Sequence, residues 1–185
     1  MLEPVKNEPA LFGTFLRADK VHTSVVAGIV SLDQRLVRFS LRPGVEDPGP
    51  GPWKASTWLP PGTRRGLLAT FNGGFKLDSA DGGFYLNGKH KGALVSGAAS
   101  VVYYCDGHIK IGSWGSEVRM SRDVCGVRQN LKLLVDHGQV SPKVNSDVLS
   151  NWGATLGGGY YVWRSGIGIT AGGRVIFVYG PSLNV

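Results

Sequence analysis

The sequence has little charge, only two cysteines and no long apolar run. Charged residues make up 18% of the 185 positions, where about 25% is usual, while 42% are hydrophobic. Because a disordered chain combines few hydrophobic residues with many charges, this composition excludes intrinsic disorder. The most continuous apolar run near the start, residues 25–30, has the length of a strand and is far shorter than the roughly 18 residues that span a bilayer.

Glycine is abundant, at 28 of the 185 positions. A glycine inside a helix costs about 1 kcal/mol relative to alanine, so the composition excludes a helix bundle or a coiled coil. The length suits one domain. We therefore expect a single compact, strand-rich α+β domain with an antiparallel meander of hairpins and a few short helices. Residues 1–66 hold N-terminal strands and a Pro/Gly-rich loop, and residues 67–185 form the core of this domain.

Asn-Gly and Asp-Gly pairs indicate the hairpins. Asn87-Gly88 and Asp106-Gly107 each follow an apolar run, and such pairs adopt the positive φ angles that tight hairpin turns require. A last hairpin is expected within residues 166–179, where two short apolar runs are joined by a glycine-rich turn. The Asn-Gly and Asp-Gly pairs are the strongest local hairpin signals in the chain.

The remaining elements have weaker signals. Residues 67–71 form a short apolar run that predicts a buried strand. Residues 122–130 predict a helix, although Gly126 weakens it, and a second short helix is expected over residues 147–152.

Positive charge is in excess and unevenly spread. The formal net charge is +7, and no carboxylate follows Asp147, whereas Arg164 and Arg174 do. A basic excess suits an anionic partner, and a basic soluble surface accounts for it equally well. Basic and aromatic residues do not alternate within one stretch, so a nucleic-acid partner is not expected.

The two cysteines leave two alternatives open. Cys105 and Cys125 either pair as a disulfide in an oxidising compartment or remain as buried thiols. Cys105-x-x-His108 has metal-like spacing but lacks a second pair of ligands, so zinc is not expected there. The sequence contains no P-loop, Rossmann fingerprint or nucleophile elbow. No cofactor is predicted, and a requirement for a divalent metal stays open.

Two segments carry candidate chemistry. Asn72-Gly73-Gly74-Phe75 exposes consecutive backbone N–H groups that can bind an anion, and Lys76 and Asp78 follow it. A permissive turn in a solvated loop accounts for the same residues. In the second segment Arg164 precedes small residues, and its planar guanidinium matches two phosphate oxygens. The neighbouring Trp163 suits either a sugar face or a core.

In their order along the chain, these segments resemble the phosphodiester glycosidases, a family that includes the lysosomal enzyme that uncovers mannose 6-phosphate and bacterial exopolysaccharide-associated proteins. The similar segments are Leu67 to Phe75, the turns at Asn87-Gly88 and Asp106-Gly107, Val127-Arg128-Gln129-Asn130, Leu133 to Gly138, Arg164 to Gly168 and Arg174 to Tyr179. The family usually has Thr-Ala where Ser165-Gly166 stands, and it continues into an acidic segment that this chain does not contain. We therefore expect the chain to be an excerpt of a longer protein, which also fits the absence of a signal-peptide pattern at its start.

The resemblance implies hydrolysis of a sugar-1-phosphate diester on an envelope or extracellular glycan, with an extracytoplasmic or secreted location. Its alternative is a non-catalytic module that binds anionic glycans. The residues assigned to catalysis are Arg164 and Asn72 as the phosphate clamp and Asp78 or Asp136 as the acid or base. The residues assigned to substrate binding are Gly73, Gly74, Phe75, Lys76, Gln129, Ser165 and Gly166.

Overall fold

The computed structural model describes residues 9–17, 20–144, 149–152 and 162–183. Residues 1–38 and 154–185 form one compact unit, and residues 39–153 form a second. Each unit contains its own antiparallel sheet, and helix is scarce. The expected strand-rich, antiparallel character is therefore confirmed as a mostly-β fold, while the α+β class and the single domain stay predictions.

The chain forms eleven strands and two short helices within the described residues. In chain order these are β1 (Leu11–Arg17), β2 (Val26–Asp33), α1 (Leu77–Ala80), β3 (Phe84–Leu86), β4 (Lys89–Lys91), β5 (Ala99–Tyr104), β6 (Ile109–Ser113), β7 (Val124–Gln129), β8 (Val135–Asp136), β9 (Gln139–Val140), α2 (Leu149–Trp152), β10 (Val162–Ile169) and β11 (Arg174–Leu183). A 3₁₀ turn covers Pro61–Thr63.

The first unit is a four-stranded sheet in the order β1-β2-β11-β10. The hairpin predicted within residues 166–179 is confirmed as β10 and β11, and Gly173 adopts a φ of +79° in its turn. Gly28 on β2 lies opposite Tyr179 on β11. A Cβ at Gly28 would lie 2.6 Å from the Tyr179 ring, so the glycine makes room for that ring.

The second unit has a five-stranded sheet in the order β4-β3-β7-β5-β6. The turns predicted at Asn87-Gly88 and Asp106-Gly107 are confirmed, since they connect β3 to β4 and β5 to β6. Asn87 and Gly88 adopt φ angles of +47° and +82°. The simple meander is wrong, because β7 lies between β3 and β5.

Two of the weaker predictions are wrong. Residues 122–130 are not helical, because Val124–Gln129 forms the central strand β7, whose partners on both sides outweigh its local helix signal. Residues 67–71 form no strand and are largely exposed. The predicted helix over residues 147–152 is observed at Leu149–Trp152, and residues 145–148 lie outside the described residues.

Hydrophobic clusters cover both faces of the β7 sheet. Val127 and its neighbours Val102, Val118 and Val124 form one cluster. The opposite face holds a cluster of Leu77, Phe84 and Leu86. Since Phe84 is paired with Arg128 and Tyr85 with Val127, Arg128 belongs to the face of the second cluster.

The cysteines pair as a disulfide, which resolves the alternatives left open by the sequence. Cys105 and Cys125 join the end of β5 to β7, with a Cα–Cα distance of 5.0 Å. Cys105 is therefore not a thiolate ligand beside His108. No helix within the described part of the chain is long and apolar enough to cross a membrane.

Candidate functional site

Two of the segments noted in the sequence, residues 72–75 and 127–130, meet in the second unit. A Cβ at Gly73 would lie 3.4 Å from Cγ of Arg128, and a Cβ at Gly74 would lie 3.4 Å from Cγ of Asn130. Gly74 also adopts a φ of +138°, which L side chains rarely adopt. These distances are ordinary van der Waals contacts, so the segment lies beside the end of β7, and the φ of Gly74 is the feature that favours glycine there.

The buried side chain of Arg128 makes hydrogen bonds that hold the two segments together. It is 5% exposed, and its Nη2 donates both to the Phe75 carbonyl oxygen and to Oδ2 of Asp47, the latter at 3.0 Å. Its Nη1 donates to the carbonyl of Gln129 at 2.7 Å. Burial lowers the pKa of Arg128, and the Asp47 charge opposes this shift. Arg128 is thus the buried end of an ion pair that ties residue 75 to β7.

Asp47 connects the same group to the next helix. Its Oδ2 also accepts a hydrogen bond from the backbone N–H of Leu77, the first residue of α1, at 3.2 Å. Lys76 lies at the surface, where its ammonium is 3.4 Å from the carboxylate of Glu46. Asp78 is exposed in the single turn of α1. This surface therefore presents both signs of charge beside the glycine segment.

Asn130 has an unusual environment. Its side-chain Oδ1 is buried, with no hydrogen-bond partner among the described residues. An unsatisfied buried acceptor costs about 1–3 kcal/mol, and because most buried polar atoms are paired, each exception calls for an explanation such as a functional role. The adjacency to Gly74 makes Asn130 a candidate site residue.

In contrast, both polar atoms of the Gln129 side chain have hydrogen-bond partners inside the protein. The residue is completely buried. Its Oε1 accepts from the N–H groups of Gly83 and Val95 at 3.0 and 2.7 Å, and its Nε2 donates to the Val95 carbonyl and to Ser100 Oγ, both at 3.0 Å. This geometry favours a structural role for Gln129 over the substrate contact that the sequence indicates.

The predicted arginine segment belongs to the first unit, on β10. Arg164 lies opposite Gly180 and Ser165 opposite Tyr179 on β11, beside an irregularity in the strand register. Arg164 is half-buried, whereas Ser165 and Gly166 are exposed. A Cβ at Gly166 would meet nothing within 4 Å, so a ligand can approach this backbone. Arg164 and Asn72 thus belong to different units.

Asp136 lies on the β8–β9 hairpin of the second unit. It is exposed, and Oδ1 is 2.7 Å from Nδ1 of His137. The second carboxylate near that histidine is Glu117, at 3.6 Å. Among the described residues these three could hold a metal ion, because their ligand atoms all lie within 4.8 Å of one another.

Three residues packed around the segment 72–75 were not predicted from the sequence as site residues: Arg128, Asn130 and Asp47. Arg128 and Asn130 flank Gln129 in one segment of the resemblance, so their position was a usable signal. Asp47 gives no local signal, since it is 81 positions from its partner.

The chain matches no protein-family model, no curated protein and no solved structure.

Proposed function

We propose that the chain is a phosphodiester glycosidase-like hydrolase that cleaves a sugar-1-phosphate diester on an envelope or extracellular glycan. The observation that carries this proposal is the packing of Gly73 and Gly74 on the Arg128 and Asn130 side chains. Segments some 50 positions apart in sequence, each similar to a segment of that family, occupy one place in the fold.

Hydrolysis of such a diester requires three elements. Water replaces the phosphate oxygen at the anomeric carbon, so the site has to hold the phosphate, stabilise positive charge on the sugar and provide a general acid or base. Backbone N–H groups of residues 72–74, of which Asn72 and Gly73 are exposed and Gly74 is half-buried, suit the phosphate. Lys76 adds positive charge, and Asp78 is the nearest carboxylate along the chain. Arg164, in the other unit, is a separate candidate for phosphate binding.

The disulfide supports the proposed extracytoplasmic location. Disulfides persist in oxidising compartments and are rare in the cytosol. Cys105 is exposed and Cys125 half-buried, so the bond is accessible to the redox state of its surroundings.

A chromogenic sugar-1-phosphate diester tests the proposal directly. We expect turnover by the wild-type chain and a loss of about 100-fold or more in kcat/KM for Asn72→Ala and for Arg164→Ala, as when a donor to transition-state charge is removed. Arg164→Ala should change the free energy of unfolding by no more than about 1 kcal/mol. The control is Arg119→Ala, which removes the same charge from an exposed position outside the segments.

The same assay separates the alternatives. Binding of the diester without turnover would favour the non-catalytic module for anionic glycans. If the chain neither binds nor hydrolyses the diester, both proposals are overturned. If wild type turns over, Asp78→Asn and Asp136→Asn distinguish the two candidate acid or base residues. Full activity of Arg164→Ala would remove Arg164 from the phosphate site.

A further inference from the structure

Two carboxylates converge on one imidazole nitrogen in the second unit. Nδ1 of His137 lies 2.7 Å from Oδ1 of Asp136 and 3.6 Å from Oε1 of Glu117. A single N–H points to one acceptor at a time, so one hydrogen bond accounts for only one of these carboxylates. The ligand atoms of the three side chains all lie within 4.8 Å of one another, so a single metal ion could contact all three.

The third side chain is held in place by its own loop. Oε2 of Glu117 accepts a hydrogen bond from the Ser113 backbone N–H at 2.7 Å, and the backbone N–H of Glu117 donates to the Ser113 carbonyl. The other oxygen, Oε1, is the one that faces His137. Glu117 therefore enters the group from a fixed turn after β6, independently of the β8–β9 hairpin.

The hairpin sets the backbone positions of the other two residues. His137 and Gly138 form its two-residue turn, with φ angles of +46° and +77°. Asp136 and Gln139 pair across this turn. Asp136 and Ser113 also line a depression of about 360 Å³, together with Gln139 and Ser141. Asp136 is thus the member of the group that lines this depression.

The geometry points to a divalent transition-metal site formed by Glu117, Asp136 and His137. The imidazole nitrogen and the two carboxylate oxygens suit zinc, and the carboxylate oxygens also suit manganese. Three protein ligands leave a position for water or an anionic ligand on the metal. The site does not depend on the proposed hydrolase activity.

A metal titration of the chelator-treated protein tests this site. We expect Zn²⁺ and Mn²⁺ to bind at one equivalent per chain by isothermal titration calorimetry, and Zn²⁺ to raise the melting temperature. His137→Asn and Glu117→Gln should each weaken Zn²⁺ binding by at least 10-fold. Asparagine tolerates the left-handed backbone of position 137, and circular dichroism verifies that both variants fold.

The chain offers a matched control. His108 is paired with Asp106 at 2.5 Å, and among the described residues no third metal-binding side chain joins them. His108→Asn should therefore keep wild-type Zn²⁺ affinity. The proposal is overturned if wild type binds no Zn²⁺ at 100-fold molar excess, if His137→Asn and Glu117→Gln bind as wild type does, or if His108→Asn loses the binding instead.

Discussion

Nη2 of Arg128 donates to Oδ2 of Asp47 at 3.0 Å, and the side chains are 6% and 23% exposed. The pair joins the central strand of the second sheet to a loop 81 positions earlier in the sequence. Because the same Nη2 also holds the Phe75 carbonyl, the ion pair fixes the segment on which the proposed function depends.

Asp47→Ala should destabilise the protein by about 3 kcal/mol, because it leaves a buried guanidinium without its partner charge. Chemical denaturation measures the effect. Glu46→Ala is the control, since its ion pair with Lys76 is exposed on both sides and worth no more than about 1 kcal/mol. Equal effects of the two variants would contradict the structural role of Asp47.

The sequence predicted what depends on neighbouring residues and missed what depends on distant ones. The turns at Asn87-Gly88 and Asp106-Gly107 were predictable because positive φ is a property of those residues themselves. The strand Val124–Gln129 was not, because its pairing with β3 and β5 comes from strands about 20 to 45 positions away. The candidate site divides in the same way: the glycine segment is visible in the sequence, whereas Asp47 becomes a partner only in the fold.

The Cys105–Cys125 disulfide should contribute about 3 kcal/mol to the free energy of unfolding, because it closes a loop of about 20 residues in the unfolded chain. The double variant Cys105→Ser/Cys125→Ser should lose this amount in a urea titration. Reductant should shift the wild-type midpoint to that of the double variant and leave the variant unchanged. If reductant leaves the wild-type urea midpoint unchanged, the prediction is refuted.

Asp33 should make the first unit sensitive to acid. Hydrogen bonds from the Arg35 side chain and backbone, with the charge of Arg174 nearby, lower the pKa of Asp33 from 3.8 to about 2. Since the folded-state pKa lies below the unfolded value, the stabilisation is complete above about pH 4 and is lost as the pH falls towards 2.

Asp33→Asn isolates this contribution from those of other carboxylates. We expect it to destabilise by about 2 kcal/mol at neutral pH, through lost hydrogen bonds to charged groups. The difference from wild type should shrink between about pH 4 and pH 2, as measured by urea midpoints across that range. A difference that stays constant with pH would show that the Asp33 charge is not responsible.

Gln129→Ala decides between a structural residue and a substrate contact. The variant removes the acceptor of the Gly83 and Val95 N–H groups, and each buried donor left unsatisfied costs about 1–3 kcal/mol. We therefore expect a loss of about 2–5 kcal/mol in the free energy of unfolding. Ser100→Ala, which removes one partner of the same amide, should cost about 1 kcal/mol. If instead Gln129→Ala unfolds at the wild-type urea concentration while diester turnover falls, the side chain contacts substrate, as the family resemblance indicates.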